Sequence, residues 1–261
     1  MTHHIVEVSS LVYDYPDGTR ALDGVSFRIE HGESVAMVGA NGAGKSTLLM
    51  HLMGALFPKS GAVRIGDFPL TKKNVADVRR SVGMVFQDPD DQLFMPTVFD
   101  DVAFGPINLG LPLSEVDSCV MKALETVGVA HLKNRPPYRL SGGEKRAVAI
   151  ASVIALSPSV LVLDEPSTSL DPASRRHLIE LLASFTHTKI IATHDLDMAL
   201  DLCERTIVIH KGAVAADGKT SEILQQQSLL QASHLEIPGR LEPCSLCGGR
   251  RIIAVQKGKI E

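Results

Sequence analysis

The sequence contains no apolar run approaching the ~18 to 20 residues that a membrane-spanning helix requires. Its longest apolar stretches, residues 150–156 and 160–163, are far shorter, and the chain is not expected to cross a bilayer by itself. The first residues, Met1-Thr2-His3-His4-Ile5-Val6-Glu7, hold no basic region leading into an apolar core, so no secretory leader is expected. Basic residues are not in excess: 26 Lys and Arg face 30 Asp and Glu, a formal net charge of −4, with both signs mixed along the chain. No broad basic face follows, and no direct nucleic-acid partner is expected. Cysteine is scarce, with Cys119 and Cys203 isolated and Cys244 and Cys247 forming one C-x-x-C pair. That usage gives no disulfide framework and suits a reducing cytoplasm. Repeats, heptads and long low-complexity tracts are absent as well.

Apolar residues make up 44% of the 261-residue chain, enough for a substantial core in one large domain or two modest ones. Strand-like patterns mark residues 5–13, 25–29 and 34–38, the last stopping at a Gly-rich segment. A helix is predicted from Lys45 through Met53, interrupted by Gly54 and Pro58. Residues 62–65 and 82–86 read as a further strand pair around a polar connection. From Asp88 to about Pro158 the character turns helical, with apolar spacing over 116–127 and 144–155, as expected of a helical subdomain inserted into an α/β core. Beyond it, residues 160–163 and 189–193 read as buried strands around a helix over 172–185, and 206–210 adds another strand. Alternation of this kind predicts a largely parallel sheet flanked by helices.

Three motifs carry chemistry. Gly39-Ala40-Asn41-Gly42-Ala43-Gly44-Lys45-Ser46 fits the P-loop pattern and stands after a strand and before a helix. Its glycines allow a tight loop whose backbone N–H groups face phosphate oxygens, while the helix N-terminus adds positive potential. Lys45 then reaches the terminal phosphates and Ser46 can ligate magnesium. A flexible Gly-rich turn is the plain alternative, but a chance match in a chain this long is on the order of one in a hundred. Leu161-Val162-Leu163-Asp164-Glu165 is an apolar strand ending in two carboxylates, at the sheet edge where ligands collect. Asp164 would hold magnesium through its water shell, and Glu165 would polarise the attacking water in γ-phosphate cleavage. Alone, such a pair is often a solvated loop. Leu140-Ser141-Gly142-Gly143-Glu144 opens a helix, and a serine with two glycines at a helix start forms an anion-binding turn.

The LSGGE segment, placed between the P-loop and the Asp164-Glu165 strand, resembles the signature of ATP-binding-cassette (ABC) ATPases. The resemblance extends to Gln87 at a strand end, the Ser169-Leu170-Asp171 turn and His194, and covers residues 5–224. It implies an ATP-hydrolysing enzyme with ATP and Mg2+ as cofactors. The implied fold is α/β: a P-loop RecA-like core with a largely parallel sheet, an N-terminal antiparallel β subdomain and an inserted α-helical subdomain at about 88–158. Residues 1–226 would form the ATPase domain and 227–261 a C-terminal tail. By the same resemblance Tyr15 stacks on adenine, and Gly39, Asn41, Gly42, Ala43, Gly44, Lys45, Ser46 and Thr47 bind ATP. Gln87 joins Ser46 and Asp164 at the magnesium ion, His194 contacts the γ-phosphate, and Glu165, His194 and Gln87 are the catalytic set. Plainer roles exist for some: Tyr15 or Tyr13 could only pack, Gln87 could cap a strand, and His194 could be an ordinary buried histidine. In this family the P-loop of one subunit faces the signature turn of the other, so Ser141, Gly142, Gly143 and Glu144 would complete the partner's ATP site. All these parts are present in one chain, and a homodimer is expected.

Finer strings resemble the energy-coupling-factor importers, the cobalt and nickel ATPase subunits in particular: Asp88-Pro89-Asp90-Asp91-Gln92-Leu93-Phe94, Pro96-Thr97-Val98, residues 101–106, 187–197 and 234–238. This implies membrane partners, a coupling protein and a substrate-binding subunit, and a place on the cytoplasmic face of the membrane. Cobalt or nickel is the implied cargo, a vitamin or other small cargo the alternative. The acidic Asp88, Asp90 and Asp91 could receive basic side chains of a membrane partner, or form a solvated loop. Two other classes compete: an ABC-superfamily ATPase acting on nucleic acid or ribosomes, and a P-loop nucleotide kinase. The first usually carries a coiled coil, zinc module, second cassette or basic linker, none of which is visible; the second has no use for LSGGE or His194. Cys244 and Cys247 with His234 offer three donors where a structural zinc site takes four, so a reduced tail without metal is the reading. His3 and His4 are read as solvent-exposed.

Overall fold

The computed structural model describes residues 4–241; His3, Cys244 and Cys247 lie outside the described residues. Strands β1 (His4–Asp14) and β2 (Arg20–Glu30) pair antiparallel around a turn in which the Gly18 N–H donates to the Tyr15 carbonyl. Strand β3 (Ser34–Val38) feeds the P-loop and helix α1 (Lys45–Leu52). Strand β4 (Ser60–Ile65) returns to β1, and short β5 (Phe68–Pro69) completes a four-stranded sheet of order β2-β1-β4-β5. Helix α2 (Val75–Ser81) then leads to β6 (Val82–Val85), which belongs to a different sheet.

Residues 62–65 and 82–86 are therefore not partners. Strand β4 buries one face only, as a strand of an antiparallel sheet with one solvated face does, whereas all four residues of β6 are buried, as in a parallel strand covered on both sides. The connection between them holds α2, whose single buried residue, Val78, gives a weak helical pattern.

Helices α3 (Val98–Asn108), α4 (Leu113–Thr126) and α5 (Gly142–Ile154) form the expected helical insertion. Thr97 caps α3, accepting the Asp100 N–H. At the start of α5, Ser141 and Glu144 form a capping box: the Ser141 hydroxyl accepts the Glu144 N–H, and the Glu144 carboxylate accepts the Ser141 N–H at 2.7 Å. The chain continues through β7 (Val160–Asp164), α6 (Pro172–Ser184), β8 (Thr188–Thr193), α7 (Leu196–Leu202), β9 (Arg205–His210) and β10 (Ala213–Lys219). Two short helices, α8 (Thr220–Ile223) and α9 (Gln227–Ala232), follow.

The second sheet runs β10-β9-β3-β8-β7-β6, parallel except for the antiparallel edge strand β10. Because side chains alternate along a strand, Val35 and Met37 join the core on one face and Ala36 and Val38 the core on the other. Both faces are covered, which is why β7 and β8 are buried at every position. The tail helix is not loose: Leu230 is fully buried and, with Leu235, belongs to the core that includes α3 to α7.

A two-residue turn, Lys211-Gly212, joins β9 to β10, with φ of 48° and 76° respectively. Positive φ at both central residues gives the twist that a tight hairpin needs. The Gly212 N–H donates to Ala43 of the P-loop at 2.9 Å, and its carbonyl accepts the Asp23 N–H at 2.8 Å. A Cβ on Gly212 would lie 2.6 Å from the Ala21 carbonyl oxygen.

Candidate active site

The C-terminal ends of β3, β7 and β8 open onto a cleft of about 400 Å3 lined by Tyr15, Asn41, Gly42, Gly44, Lys45, Ser46, Thr47, Gln87, Asp164, Glu165 and His194. Gly39 lies just behind it: a Cβ there would stand 2.3 Å from the Ile209 carbonyl oxygen. At Gly44, where φ is +107°, a Cβ would meet the Ala21 carbonyl at 2.7 Å, so the loop passes only without a side chain.

Lys45 is buried and donates from Nζ to the Gly39 carbonyl at 2.7 Å and the Ala40 carbonyl at 3.3 Å. Its Nζ is also 3.8 Å from Glu165 Oε1. Asp164 meets the Ser46 hydroxyl. Burial pushes its carboxyl pKa up, as does Glu165, while Ser46 and Lys45 pull it down; the net shift is upward. Its Oδ1 is buried with no hydrogen-bond partner. A buried, unsatisfied carboxylate oxygen beside a serine hydroxyl is the donor set that a magnesium ion takes, so the residues fit that cofactor.

Glu165 has φ +45°, an unusual backbone state held by its N–H donating to the Ala192 carbonyl at 2.8 Å. Its Oε2 is surrounded by the last residue of β8 and the one after it: the His194 ring Nδ1 at 2.8 Å, the His194 N–H at 3.2 Å and the Thr193 hydroxyl at 3.3 Å. Because the Thr193 oxygen accepts the Asp195 N–H at 2.9 Å, its own proton is free to point at Glu165. His194 is 61% exposed in its side chain and so not an ordinary core histidine. Of the two tyrosines, Tyr15 faces the cleft, with its hydroxyl 2.8 Å from Thr47 Oγ1, while Tyr13 packs edge-on between Tyr15 and His51.

The signature turn does not enter this cleft. Ser141, Gly143 and Glu144 border a separate cavity of about 330 Å3 between α5 and α6. Gly142 and the Gln87–Asp91 loop border another of about 490 Å3. Backbone and hydroxyl bonds from Ser141 hold the Glu144 carboxyl below the usual carboxylate range.

Two residues near the site escape the sequence patterns. Arg146, buried on α5, donates from one nitrogen to the Phe86 carbonyl and from another to the Gln87 carbonyl, each at 2.6 Å. Its only sequence signal is a charge amid the apolar run of α5. Asp195 caps α7 and receives both arms of Arg175, at 2.7 and 2.9 Å, with the Ser167 hydroxyl at 3.2 Å. Burial raises its carboxyl pKa, but Arg175, the Met198 N–H and Ser167 outweigh it, and the net pKa lies below the ordinary 3.8. Arg175→Met is expected to cost about 2 kcal/mol in urea unfolding at neutral pH. A lowered folded pKa stabilises above the unfolded value and is lost as pH falls through the folded one. The gap between wild type and variant should therefore be full above about pH 5 and narrow at more acid pH.

The arrangement sets a P-loop, a lysine, two carboxylates and a histidine around one space, the equipment for phosphoryl transfer to water. The sequence profile of the ABC transporter family matches residues 22–168. The chain belongs to the ABC transporter ATP-binding family and is an ABC transporter ATPase. It is 65% identical over 248 residues to a Geobacter sulfurreducens protein named as an ABC transporter ATP-binding protein, covering 95% of this chain and 100% of that one. It is 44% identical over 240 residues to the energy-coupling factor transporter ATP-binding protein EcfA of Methanocaldococcus jannaschii, covering 90% and 86%. Among solved structures, cbiO1 of Clostridium perfringens, part of the ABC transporter complex cbiONQ, superposes with a TM-score of 0.79 at 40% identity, covering 88% of this chain and 94% of that one.

Proposed function

We propose that the chain is the ATP-hydrolysing subunit of an energy-coupling-factor importer, working as a homodimer on the cytoplasmic face beneath separate membrane components. The observation that carries the dimer is the separation of the signature turn from the P-loop cleft of its own chain. A second copy would bring Ser141, Gly142 and Gly143 to the phosphates, adding the α5 N-terminus to the site.

In this reading Tyr15 stacks on adenine and the 39–47 segment cradles the phosphates. Lys45 leaves the Gly39 and Ala40 carbonyls for phosphate oxygens. Ser46, Asp164 and Gln87 would hold Mg2+, which when bound neutralises phosphate charge. Glu165 orients and deprotonates the attacking water, and His194 turns from Glu165 Oε2 to the γ-phosphate. Residues 1–226 serve as the ATPase domain and 227–261 as its tail.

No helix among the described residues is long and apolar enough to cross a membrane; in this reading the membrane path belongs to a partner. The helical insertion offers a surface for it: Phe94 is 64% exposed and stacks edge-to-face on Phe104 at 5.0 Å. The acidic loop is less available than its composition suggests, because Lys145 holds Asp90 at 2.6 Å. Phe94→Asp should reduce recovery of membrane partners at least about tenfold, a loss typical of a buried aromatic anchor, and leave basal ATP turnover unchanged. Unaltered recovery would remove this face from the interface.

Likeness to EcfA and cbiO1 supports a place in a transporter complex of this type; import, with cobalt or nickel as cargo, rests on the resemblance of residues 88–94, 96–98, 101–106, 187–197 and 234–238. Co-purification with the membrane fraction tests it. Recovery of a multi-helix coupling protein with a metal-binding membrane component, and of cobalt or nickel in the complex, is expected. Recovery of ribosomes or DNA-bound proteins would overturn the transport reading.

A further inference from the structure

Sheet register makes Glu165 and Thr193 neighbours. Parallel pairing of β7 with β8 sets Asp164 opposite Ala192, so the next residue on each side leaves the sheet at the same edge. The Glu165 N–H closes this corner on the Ala192 carbonyl at 2.8 Å. Its carboxylate then has two unlike surroundings: Oε2 meets Thr193 and His194, whereas Oε1 lies 3.8 Å from Lys45 Nζ on the P-loop side. The oxygens of a carboxylate are chemically equal, and rotation about its soft terminal torsion exchanges them unless a neighbour holds one.

The nearest holder of Oε2 is the His194 ring at 2.8 Å, which is exposed and, in the reading above, turns to the γ-phosphate. That movement takes the shortest of the three bonds away just when a water has to be aligned. Lys45 turns to phosphate as well, which frees Oε1. What stays on Oε2 is the His194 N–H, part of the backbone, and the hydroxyl of Thr193, a residue with no exposed surface.

That hydroxyl is aimed. It has one proton to give, and the Asp195 N–H, donating to its oxygen at 2.9 Å, leaves the proton for Oε2. Asp195 is itself fixed on both oxygens: Oδ2 accepts from Arg175 and Ser167, and Oδ1 from Arg175 and the Met198 N–H. The 3.3 Å between Thr193 and Oε2 is long for a hydroxyl bond while the His194 ring shares that oxygen. Bonds to a catalytic group commonly tighten once the reacting ligand is in place.

We propose that Thr193 is a positioning residue for hydrolysis, holding Oε2 of Glu165 so that Oε1 is the oxygen that takes the proton of the attacking water. The water oxygen bonds to the γ-phosphorus, its proton passes to Oε1, and the β–γ bridging oxygen leaves with ADP. The proposal rests on the reading of Glu165 as the base.

The test is steady-state ATP turnover of the purified full-length chain in saturating magnesium. Thr193→Val keeps the shape and removes the hydroxyl; kcat should fall about 10- to 100-fold, with the ATP KM changed less than about threefold because the P-loop is untouched. Thr193→Ser, which keeps the hydroxyl, should recover most of the lost kcat, a rescue that packing does not supply because serine fills less space than valine. Thr193→Ala is a second chain without the hydroxyl, and thermal midpoints establish which variants are folded. A double-mutant cycle with Glu165→Gln separates aim from structure. In that background Thr193→Val should leave the residual rate within about twofold, since no base remains to be aimed. Three results overturn the proposal while the base stands: wild-type kcat in a folded valine or alanine variant, a serine variant as slow as the valine one, or the full valine loss repeated in the Glu165→Gln background. Near-wild-type turnover of Glu165→Gln alone is a separate failure, which removes the base and this role of Thr193 with it.

Discussion

Glu165→Gln should hydrolyse ATP at least about 100-fold more slowly than the wild type while still binding it. The amide keeps the size of the carboxylate but cannot accept a proton from water. Lys45, Ser46 and the loop glycines are untouched, so ATP should stay bound. Slow turnover then accumulates the ATP-loaded form, and size-exclusion chromatography in saturating ATP and magnesium should show a dimer. Two readouts separate two ideas. Near-wild-type turnover would remove Glu165 as the base; a stable monomer with the turnover defect would leave the base in place and argue against the two-chain site.

Arg146→Met is expected to lose about 2–4 kcal/mol of stability, because the Phe86 and Gln87 carbonyls lose their charged donor in a buried setting. Burial presses the guanidinium pKa down, with Asp88 opposing, so the native arrangement already holds this charge at a cost that the two bonds offset. The functional effect follows from position. Arg146 sits two residues past Glu144 and grips the strand end that carries Gln87, so helix α5 ties the signature turn to the far wall of the cleft. Gln92 strengthens the tie: its amide donates to the Ala149 carbonyl, and its oxygen accepts the Phe86 N–H. Displacing Gln87 by even about 1 Å should lower kcat by 10- to 100-fold, with less change in the ATP KM because Arg146 bonds to the Phe86 and Gln87 carbonyls and not to the P-loop. Arg146→Lys, which keeps the charge but not the fork, should recover stability more than kcat. A folded methionine variant with wild-type kcat would confine Arg146 to a structural role.

The parts of the site that were legible in the sequence are those in which one short segment has to do everything itself. The P-loop is such a segment, since its backbone path requires Gly39 and Gly44 whatever surrounds it, and the apolar strand ending in Asp164-Glu165 is another. Parallel strands read clearly because burial on both faces leaves a continuous apolar run. The parts that were not legible depend on distant partners. Nothing local says that Arg146 will meet residues sixty positions earlier, or that Asp90 will be held by Lys145. Strand β10 has only half-buried positions on its inner side and a glycine near its end, so its alternation is faint. Residues 62–65 and 82–86 read as a strand pair around a polar connection, whereas the structure places them in different sheets, one half-buried and one buried on both faces.

The Lys211-Gly212 turn has a practical consequence. A two-residue hairpin tip at a sheet edge is where an affinity tag, a fluorescent reporter or a new pair of chain ends would ordinarily be inserted. Here the tip is a buttress: its N–H holds Ala43 of the P-loop and its carbonyl holds the strand that follows Tyr15. A graft at this turn would be felt at the nucleotide before it was felt in the fold, so labels and circular permutation sites are better placed elsewhere.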